Sequence, residues 1–417
     1  MREIHTNKMG RTVLASPQTG GGHMAWQASV SRLFRPRIEA VGLEVGTANL
    51  KAVEVKPGSP PSLAKLGMRP TPPGLIEDDH VVDPDGLAAE LRALFDEAGI
   101  DKRHVVTAIG NRQAITRNIQ VPRMSRSELE EAIKWEAERY IPFPIDEVSL
   151  DYYVLDNPED VPEGEDLEVV IAAARLELVR EELDTLQRAG LEPVIIDVKP
   201  FALLRSLKGA LLGEHLTKQT LTQGGYTEAN EIGVVLEIAA SSTTITLVRG
   251  DRVLMNRNIG VSGDDFTTAL QRRFGLDFDA AEDVKVRHGT AALDADAEES
   301  LLNPDLDAGP YSAARVYEAL RPVVVDLTTE IRRSLEFFRV QSGDASITRM
   351  FITGGGAKLR GLPDAIGDAL GFRVRIGQPW LSVVVDERRF DMPYLESVGA
   401  EFGVPLGLAL RGVNPLD

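Results

Sequence analysis

The chain has 417 residues, with 46 Lys and Arg against 64 Asp and Glu, a formal charge of −18, and no cysteine. Without Cys there is no disulfide scaffold, no Cys-ligated zinc site and no thiol catalysis. The acidic balance argues against a nucleic-acid backbone as partner, and no run of about 20 apolar residues offers a membrane span.

Residues 1–24 lack apolar periodicity and end in Gly20-Gly21-Gly22-His23-Met24. They carry no apolar stretch of a signal peptide. They read as a tag, an upstream start or a short natural tail, disordered and outside the fold. From about Pro36 the pattern turns β. Ala40–Val45 and Leu50–Val55 alternate apolar and polar residues around the small turn Gly46-Thr47-Ala48-Asn49, which predicts a hairpin. Pro57 to Pro73 predicts a loop or an edge strand. Residues 84–98 form an amphipathic helix stopped by Gly99, and Val105–Ile109 a strand. Ser125 and Glu128 predict a capping box. The helix it opens places Leu129, Ala132, Ile133, Ala137 and Tyr140 on one face and ends at Pro142. Trp135 lies off that stripe, as a core flank or a surface contact.

Strands follow at Leu150–Leu155 and Leu167–Ala173, a helix over 175–189, a strand at Pro193–Val198 and a helix at Phe201–Leu212. Polar residues 213–230, with Gly224-Gly225, read as a linker. A second β unit starts with Gly233–Ile238, Thr244–Val248 and Val253–Asn256, then a helix at Asp264–Phe274. Residues 290–310 are acidic and weakly patterned. A long helix over Ala313–Arg339, a strand at Arg349–Thr353 into Gly354-Gly355-Gly356, a helix at Leu362–Leu370, a strand at Arg373–Ile376 and an apolar helix at Gly399–Leu410 close the chain.

The two halves open alike. Leu43-Glu44-Val45-Gly46-Thr47-Ala48-Asn49-Leu50-Lys51 and Leu236-Glu237-Ile238-Ala239-Ala240-Ser241-Ser242-Thr243-Thr244 each read strand, acid, small-residue turn, strand. One such hairpin is an ordinary turn; two at the starts of two α/β halves are an internal repeat. Small turns expose successive backbone N–H groups that cradle an anion, and hydroxyls add donors. A nearby carboxylate, here Glu44 or Glu237, can hold the waters of Mg2+. Two such hairpins facing one another would grip phosphates from both sides. Lys51 would supply positive charge that the whole chain lacks.

The two hairpins resemble the phosphate loops of the actin, sugar-kinase and heat-shock ATPase superfamily. Ser262-Gly263-Asp264-Asp265-Phe266 is similar to its Gly-Gly-x-x-Phe helix start. Ala281-Glu282-Asp283-Val284-Lys285 is similar to its ribose- and adenine-binding helix. Gly354-Gly355-Gly356-Ala357-Lys358-Leu359 resembles its adenosine motif. Within the superfamily, Trp135–Glu147, Asp197–Ala202 and Arg333–Phe338 resemble the cell-division FtsA family and, more closely, the PilM family of type IV pilus assembly proteins.

The resemblance implies an α/β, actin-like (ribonuclease H-like) two-domain ATPase fold. It puts the first subdomain at 36–75 and 191–215, an inserted FtsA-type subdomain at 76–190, the second subdomain at 231–265 and 346–417, and a helical subdomain at 266–345. It implies ATP with Mg2+, bound by Gly46, Thr47, Ala48, Asn49, Lys51, Ser241, Ser242, Thr243, Gly263, Glu282, Lys285, Gly354, Gly355, Gly356, Lys358 and Leu359. Glu44 and Glu237 would reach the metal through water. It also implies a cytoplasmic location, peripheral at the inner membrane through partners. The expected partner is the N-terminal tail of the inner-membrane pilus protein PilN, beside other pilus assembly and motor components.

The departures from the superfamily carry chemistry. Glu stands for the usual Asp at 44 and 237, and Mg2+ geometry is strict. Ala239 stands where a Gly is usual, and Lys199 stands where heat-shock relatives have an acid. A Lys binds phosphate but is no base at neutral pH. ATP retention with slow or negligible hydrolysis is therefore expected of a nucleotide-bound scaffold. The alternatives are an active actin-type ATPase, filament-forming or not, and an FtsA-like division protein. The FtsA reading is weakened by the end of this sequence, which has no basic amphipathic helix.

Trp135, Tyr140, Ile141 and Phe143 are the partner-surface candidates, because aromatic anchors concentrate binding energy. Packing inside the inserted subdomain is their other reading. From Met124 to Glu168 there are 15 acids against three basic residues, a net −12. This stretch is a solvated face or one that steers a basic tail. The six His show no metal spacing.

Overall fold

The computed structural model describes residues 14–15, 39–77, 79–110, 114–156, 161–162, 164–211, 232–250, 252–293, 309–342 and 347–413. They fall in two compact units. One takes the chain up to Lys208 with 379–392 and the residues from Val404 on; the other takes 209–378 and 393–403. The expected linker over 213–230 and most of 290–310 lie outside the described residues. So does the leader, apart from Leu14–Ala15 (β1). Those two residues are not outside the fold as expected: they pair in parallel with a sheet strand at Ile196 and Asp197.

The first unit carries the predicted hairpin as β2 (Val41–Val45) and β3 (Asn49–Lys56), extended by the edge strand β4 (Ser62–Pro70). A small two-stranded ribbon, β5 (Ile76–Glu77) and β6 (His80–Val81), leads into α1 (Pro84–Glu97). Asp83 caps α1 by accepting from the Gly86 N–H at 2.9 Å, and Pro84 occupies the first turn, where its missing N–H costs nothing. Then comes β7 (His104–Ile109). After the insertion, α3 (Leu176–Arg188) and β11 (Glu192–Val198) return to the same layer. The sheet order is β1-β11-β7-β2-β3-β4, with the hairpin strands antiparallel and β2, β7 and β11 parallel. Leu87, Leu91, Leu94 and Phe95 of α1 pack on Val41, Leu43 and Leu50.

Between β7 and α3 lies a separate sheet, ordered β8 (Ala114–Pro122), β10 (Asp166–Arg175), β9 (Val148–Val154), covered by α2 (Arg126–Glu138). The capping box forms as predicted, with the Ser125 N–H donating to Glu128 at 2.9 Å. Leu129, Ile133 and Ala137 are buried against Val169 and Ile171. The separate sheet spans residues 114–175, narrower than the expected 76–190. Strand β7 pairs with β2 and β11 of the main sheet, and α1 and α3 pack together on it.

Helix α4 (Lys199–Leu211) follows β11 directly. The last helix, α10 (Gly403–Val413), falls from Val404 onward with the first unit, not with the second as expected. It can lie there because a glycine stands at each close contact, Gly407 in α10 itself and Gly42 in β2. A Cβ on Gly407 would sit 1.7 Å from the Ala202 carbonyl, and one on Gly42 2.0 Å from the Pro405 carbonyl. The fully buried Asp197 pairs with Arg205 at 3.1 Å, and Arg205 also donates to the Gly407 carbonyl at 2.9 Å, fixing α10 to α4.

The second unit is a five-stranded sheet ordered β14 (Arg252–Ile259), β13 (Thr243–Arg249), β12 (Ile232–Ile238), β15 (Ile347–Thr353), β16 (Val374–Ile376). Helices α5 (Gly263–Phe274), α6 (Phe278–His288), α7 (Ala313–Ser342) and α8 (Leu362–Leu370) contribute to its core. A short helix, α9 (Met392–Val398), precedes α10. Among the described residues no helix is long and apolar enough to cross a membrane.

Candidate functional site

In the first unit the hairpin turn has no room for a side chain at Gly46. A Cβ on Gly46 would lie 2.6 Å from the Asn49 carbonyl. Thr71 ties the turn down: its hydroxyl donates to the Gly46 carbonyl at 2.7 Å and its N–H to the Ala48 carbonyl at 2.9 Å. Thr47 and Asn49 stay half-buried, and Ala48 is exposed.

Glu44, one residue before the end of β2, is buried and faces Lys51 across the ladder. Lys51 Nζ donates to Glu44 Oε2 at 3.0 Å, and Lys199 Nζ, from the start of α4, to Glu44 Oε1 at 3.0 Å. Burial alone would raise the Glu44 pKa. The charges and hydrogen bonds of the two lysines outweigh it and hold the carboxyl at about 2. Two cations and one anion thus meet at the strand end, leaving a local excess of positive charge in an acidic chain.

In the second unit the corresponding acid, Glu237, is buried on β12 between Thr244 and Thr353 of the neighbouring strands. Its turn is closed by the Ala239 N–H donating to Ser242 at 2.9 Å. Helix α5 starts against this turn: the Gly263 and Asp264 N–H groups donate to Ala239 and Ala240 at 2.9 Å each. Ser262 and Asp265 form a capping box there. Lys285 on α6 reaches back to the Gly263 carbonyl at 3.0 Å and to Thr267 at 2.7 Å, and pairs with Glu282 at 2.6 Å. Burial raises the Asp264 carboxyl pKa.

The glycine run closes on the same strand end. Gly354 has φ +84°, and its N–H donates to Ala400 at 2.7 Å; a Cβ on Gly356 would lie 2.3 Å from Ile238 Cγ2. Lys358 pairs with the buried Glu401 at 2.7 Å, and Leu359 is buried. Within the second unit, Ser241, Ser242, Thr243, Gly263, Lys285 and the Gly354–Gly356 run therefore cluster at the C-terminal end of β12. Within the first, Glu44, Lys51 and the Gly46–Asn49 turn cluster at the end of β2.

Thr71 and Glu401 complete these clusters and were not singled out by sequence. No motif marks them, since each is brought in from a distant element.

Each cluster, taken by itself, has the donors for an anion such as a phosphate. The first offers ammonium groups for phosphate. The second leaves the Thr243 hydroxyl wholly buried with no hydrogen-bond partner among the described residues, and an orphaned buried donor is the exception in folded proteins. Among the described residues no group of three or more His, Asp or Glu could hold a metal directly. A divalent cation would therefore be held through its waters, at Glu44 in the first unit or at Glu237 in the second. Each oxygen of Glu44 already takes one lysine and keeps one acceptor position.

The partner-surface candidates divide. Trp135 is 72% exposed on α2, Tyr140 and Phe143 are exposed just beyond it, and the Arg175 guanidinium lies 5.7 Å from the Phe143 ring centre. Ile141 is buried in the core of the inserted subdomain and offers no surface. Tyr140 leaves the apolar stripe expected for it because the helix ends at Glu138.

Two α/β units, each opening on a strand–acid–small turn–strand hairpin, define an actin-like ATPase fold. The ethanolamine utilization protein EutJ of Carboxydothermus hydrogenoformans shares it at 15% identity, with a TM-score of 0.50 over 89% of both chains. The family model "Type IV pilus assembly protein PilM" matches residues 42–413, and the chain belongs to that family. The solved PilM-PilN type IV pilus biogenesis complex contains a chain 46% identical to this one. That match has a TM-score of 0.77 and covers 91% of this chain and 99% of that one. The cell division protein FtsA of Agrobacterium fabrum is 31% identical over 155 residues, 36% of this chain; the match spans only 35% of the FtsA chain.

Proposed function

We propose that this protein is a nucleotide-bound scaffold of type IV pilus assembly. In this reading it holds ATP with Mg2+ through the two hairpin clusters. It captures the N-terminal cytoplasmic tail of the inner-membrane protein PilN and so links the membrane complex to the pilus motor and other assembly components. It works in the cytoplasm and reaches the inner membrane through these partners. The observation that carries the reading is the 46% identity to the chain of the PilM-PilN complex over nearly the whole length of both. The exposed aromatics on a strongly acidic inserted subdomain support it, since a tail with basic residues would meet both charge and anchors there.

Turnover is slow or absent in this reading. Lys199, where heat-shock relatives have an acid, is bound to Glu44 and serves as a cation rather than a base. Two measurements test the proposal. Immobilised tail peptide of PilN should retain the purified protein, and its failure to do so removes the scaffold reading. Steady-state hydrolysis of Mg-ATP should stay well below about 1 per second, a rate ordinary for enzymes; a rate at or above that supports an active ATPase instead.

A further inference from the structure

In the second unit, three side chains of α5 and α6 close a ring. Thr267, wholly buried on α5, has one hydroxyl proton, which goes to Glu282 Oε2 at 2.5 Å in preference to the Gly263 carbonyl at 3.5 Å. Lys285, one turn beyond Glu282 on α6, donates to the Thr267 hydroxyl oxygen at 2.7 Å and to the Gly263 carbonyl at 3.0 Å, and pairs with Glu282 Oε2 at 2.6 Å. An ammonium group has three N–H donors, and each one here has a partner on the protein. Glu282 is tied by Oε2 alone. Its Oε1 has no partner among the described residues, and the side chain is 39% exposed. The ring is joined to the β12–β13 turn through Gly263, whose N–H donates to the Ala239 carbonyl at 2.9 Å.

We propose that Thr267 is a positioning residue: with Lys285 it fixes the Glu282 carboxylate so that Oε1 accepts a hydrogen bond from a sugar hydroxyl of the bound nucleotide. The inference rests on the nucleotide reading above and deepens it. A carboxylate oxygen only accepts, so it selects a ligand that offers a donor. The sugar is the part of a nucleotide next to its phosphates, and Glu282 stands next to the turn assigned to them. A mobile Glu side chain loses rotamer freedom when it binds; one already held at Oε2 has little left to lose, so its contact discriminates more strongly. A ligand without the hydroxyl leaves the charged acceptor unpaired and is penalised for it. Lys285 acts in this arrangement by holding Glu282, not by touching the ligand.

The test uses the full chain and calorimetric affinities for ATP, 2′-deoxyATP, 3′-deoxyATP and inosine triphosphate, which lacks the 6-amino group. Wild type should bind ATP about 10-fold more tightly than the deoxy analogue missing the hydroxyl that is read. Thr267→Val keeps the shape but removes the hydroxyl, and should cut that preference to about 3-fold or less by weakening ATP alone. Thr267→Ser should retain the preference. Glu282→Ala, at a partly exposed position, should abolish it, and Thr267→Val should add nothing in that background, as expected of coupled residues. A full sugar preference in Thr267→Val, or equal weakening of ATP and both deoxy analogues, overturns the positioning role. A change in the ratio of ATP to inosine triphosphate with the sugar ratio unmoved also overturns it, because the carboxylate then reads the base. Wild type binding all four ligands equally overturns this proposal while leaving the nucleotide reading intact; wild type binding none of them overturns both.

Discussion

The two hairpins share one sequence plan and differ in what surrounds the strand acid. In the first unit the strand acid is a counter-ion: Glu44 holds Lys51 and Lys199, and the site is built from charge. In the second unit the turn is built from neutral donors and a helix start, with Lys285 bracing the first turn of α5 from behind. The difference follows from the cross-strand neighbour, which is Lys51 opposite Glu44 but Thr244 opposite Glu237.

The comparison breaks most sharply at Glu44. Glu44→Ala strands two largely buried ammonium groups and should cost about 3–5 kcal/mol, read as a fall in the urea midpoint of the first unit. Its counterpart in the second unit, Thr243→Val, removes an orphaned buried hydroxyl. It should leave stability within about 0.5 kcal/mol while weakening ATP binding. If Thr243→Val destabilises as much as Glu44→Ala, the contrast between a charged and a neutral site is wrong.

A smaller effect of the same origin is acid sensitivity. Glu44 has a folded-state pKa of about 2, below its ordinary 4.5, so the folded state binds its proton less readily than the unfolded one. Its contribution is complete above about pH 4.5 and disappears as pH falls toward 2, on the order of 3 kcal/mol in total. Chemical denaturation at pH 5, 4 and 3 should show this loss in wild type and not in Glu44→Gln. On the inserted subdomain, Trp135→Ala should change stability by less than about 0.5 kcal/mol, because the side chain is exposed. It should weaken tail binding by about 10-fold or more. Unchanged affinity in a peptide titration would clear Trp135 of that role and leave the surface to Tyr140 and Phe143.

Local chemistry was legible in the amino-acid order. Ser125 with Glu128 marks a helix start by satisfying the first free N–H groups, and the cap forms. The hairpins were legible because small turn residues between alternating strands leave little other choice. Trp135 fell off the apolar stripe of α2 and is exposed accordingly. Strand β8 was not legible: Arg117 and Asn118 interrupt its alternation, and it becomes a strand by pairing along the whole of β10. The bounds of the insertion were missed for a related reason. Hydrophobic period identifies β7, α1 and α3 as elements but does not say which sheet they join.

What the sequence determined by itself was the repeat, the caps and turns, the superfamily motifs and the concentration of acid between Met124 and Glu168. Each depends on residues a few positions apart. What only the tertiary structure decided was who neutralises whom. Lys199 meets Glu44 across 155 residues and Thr107 meets Glu182 across 75. Such partners are set by strand order and register, and a buried charge takes the ionisation state its neighbours impose.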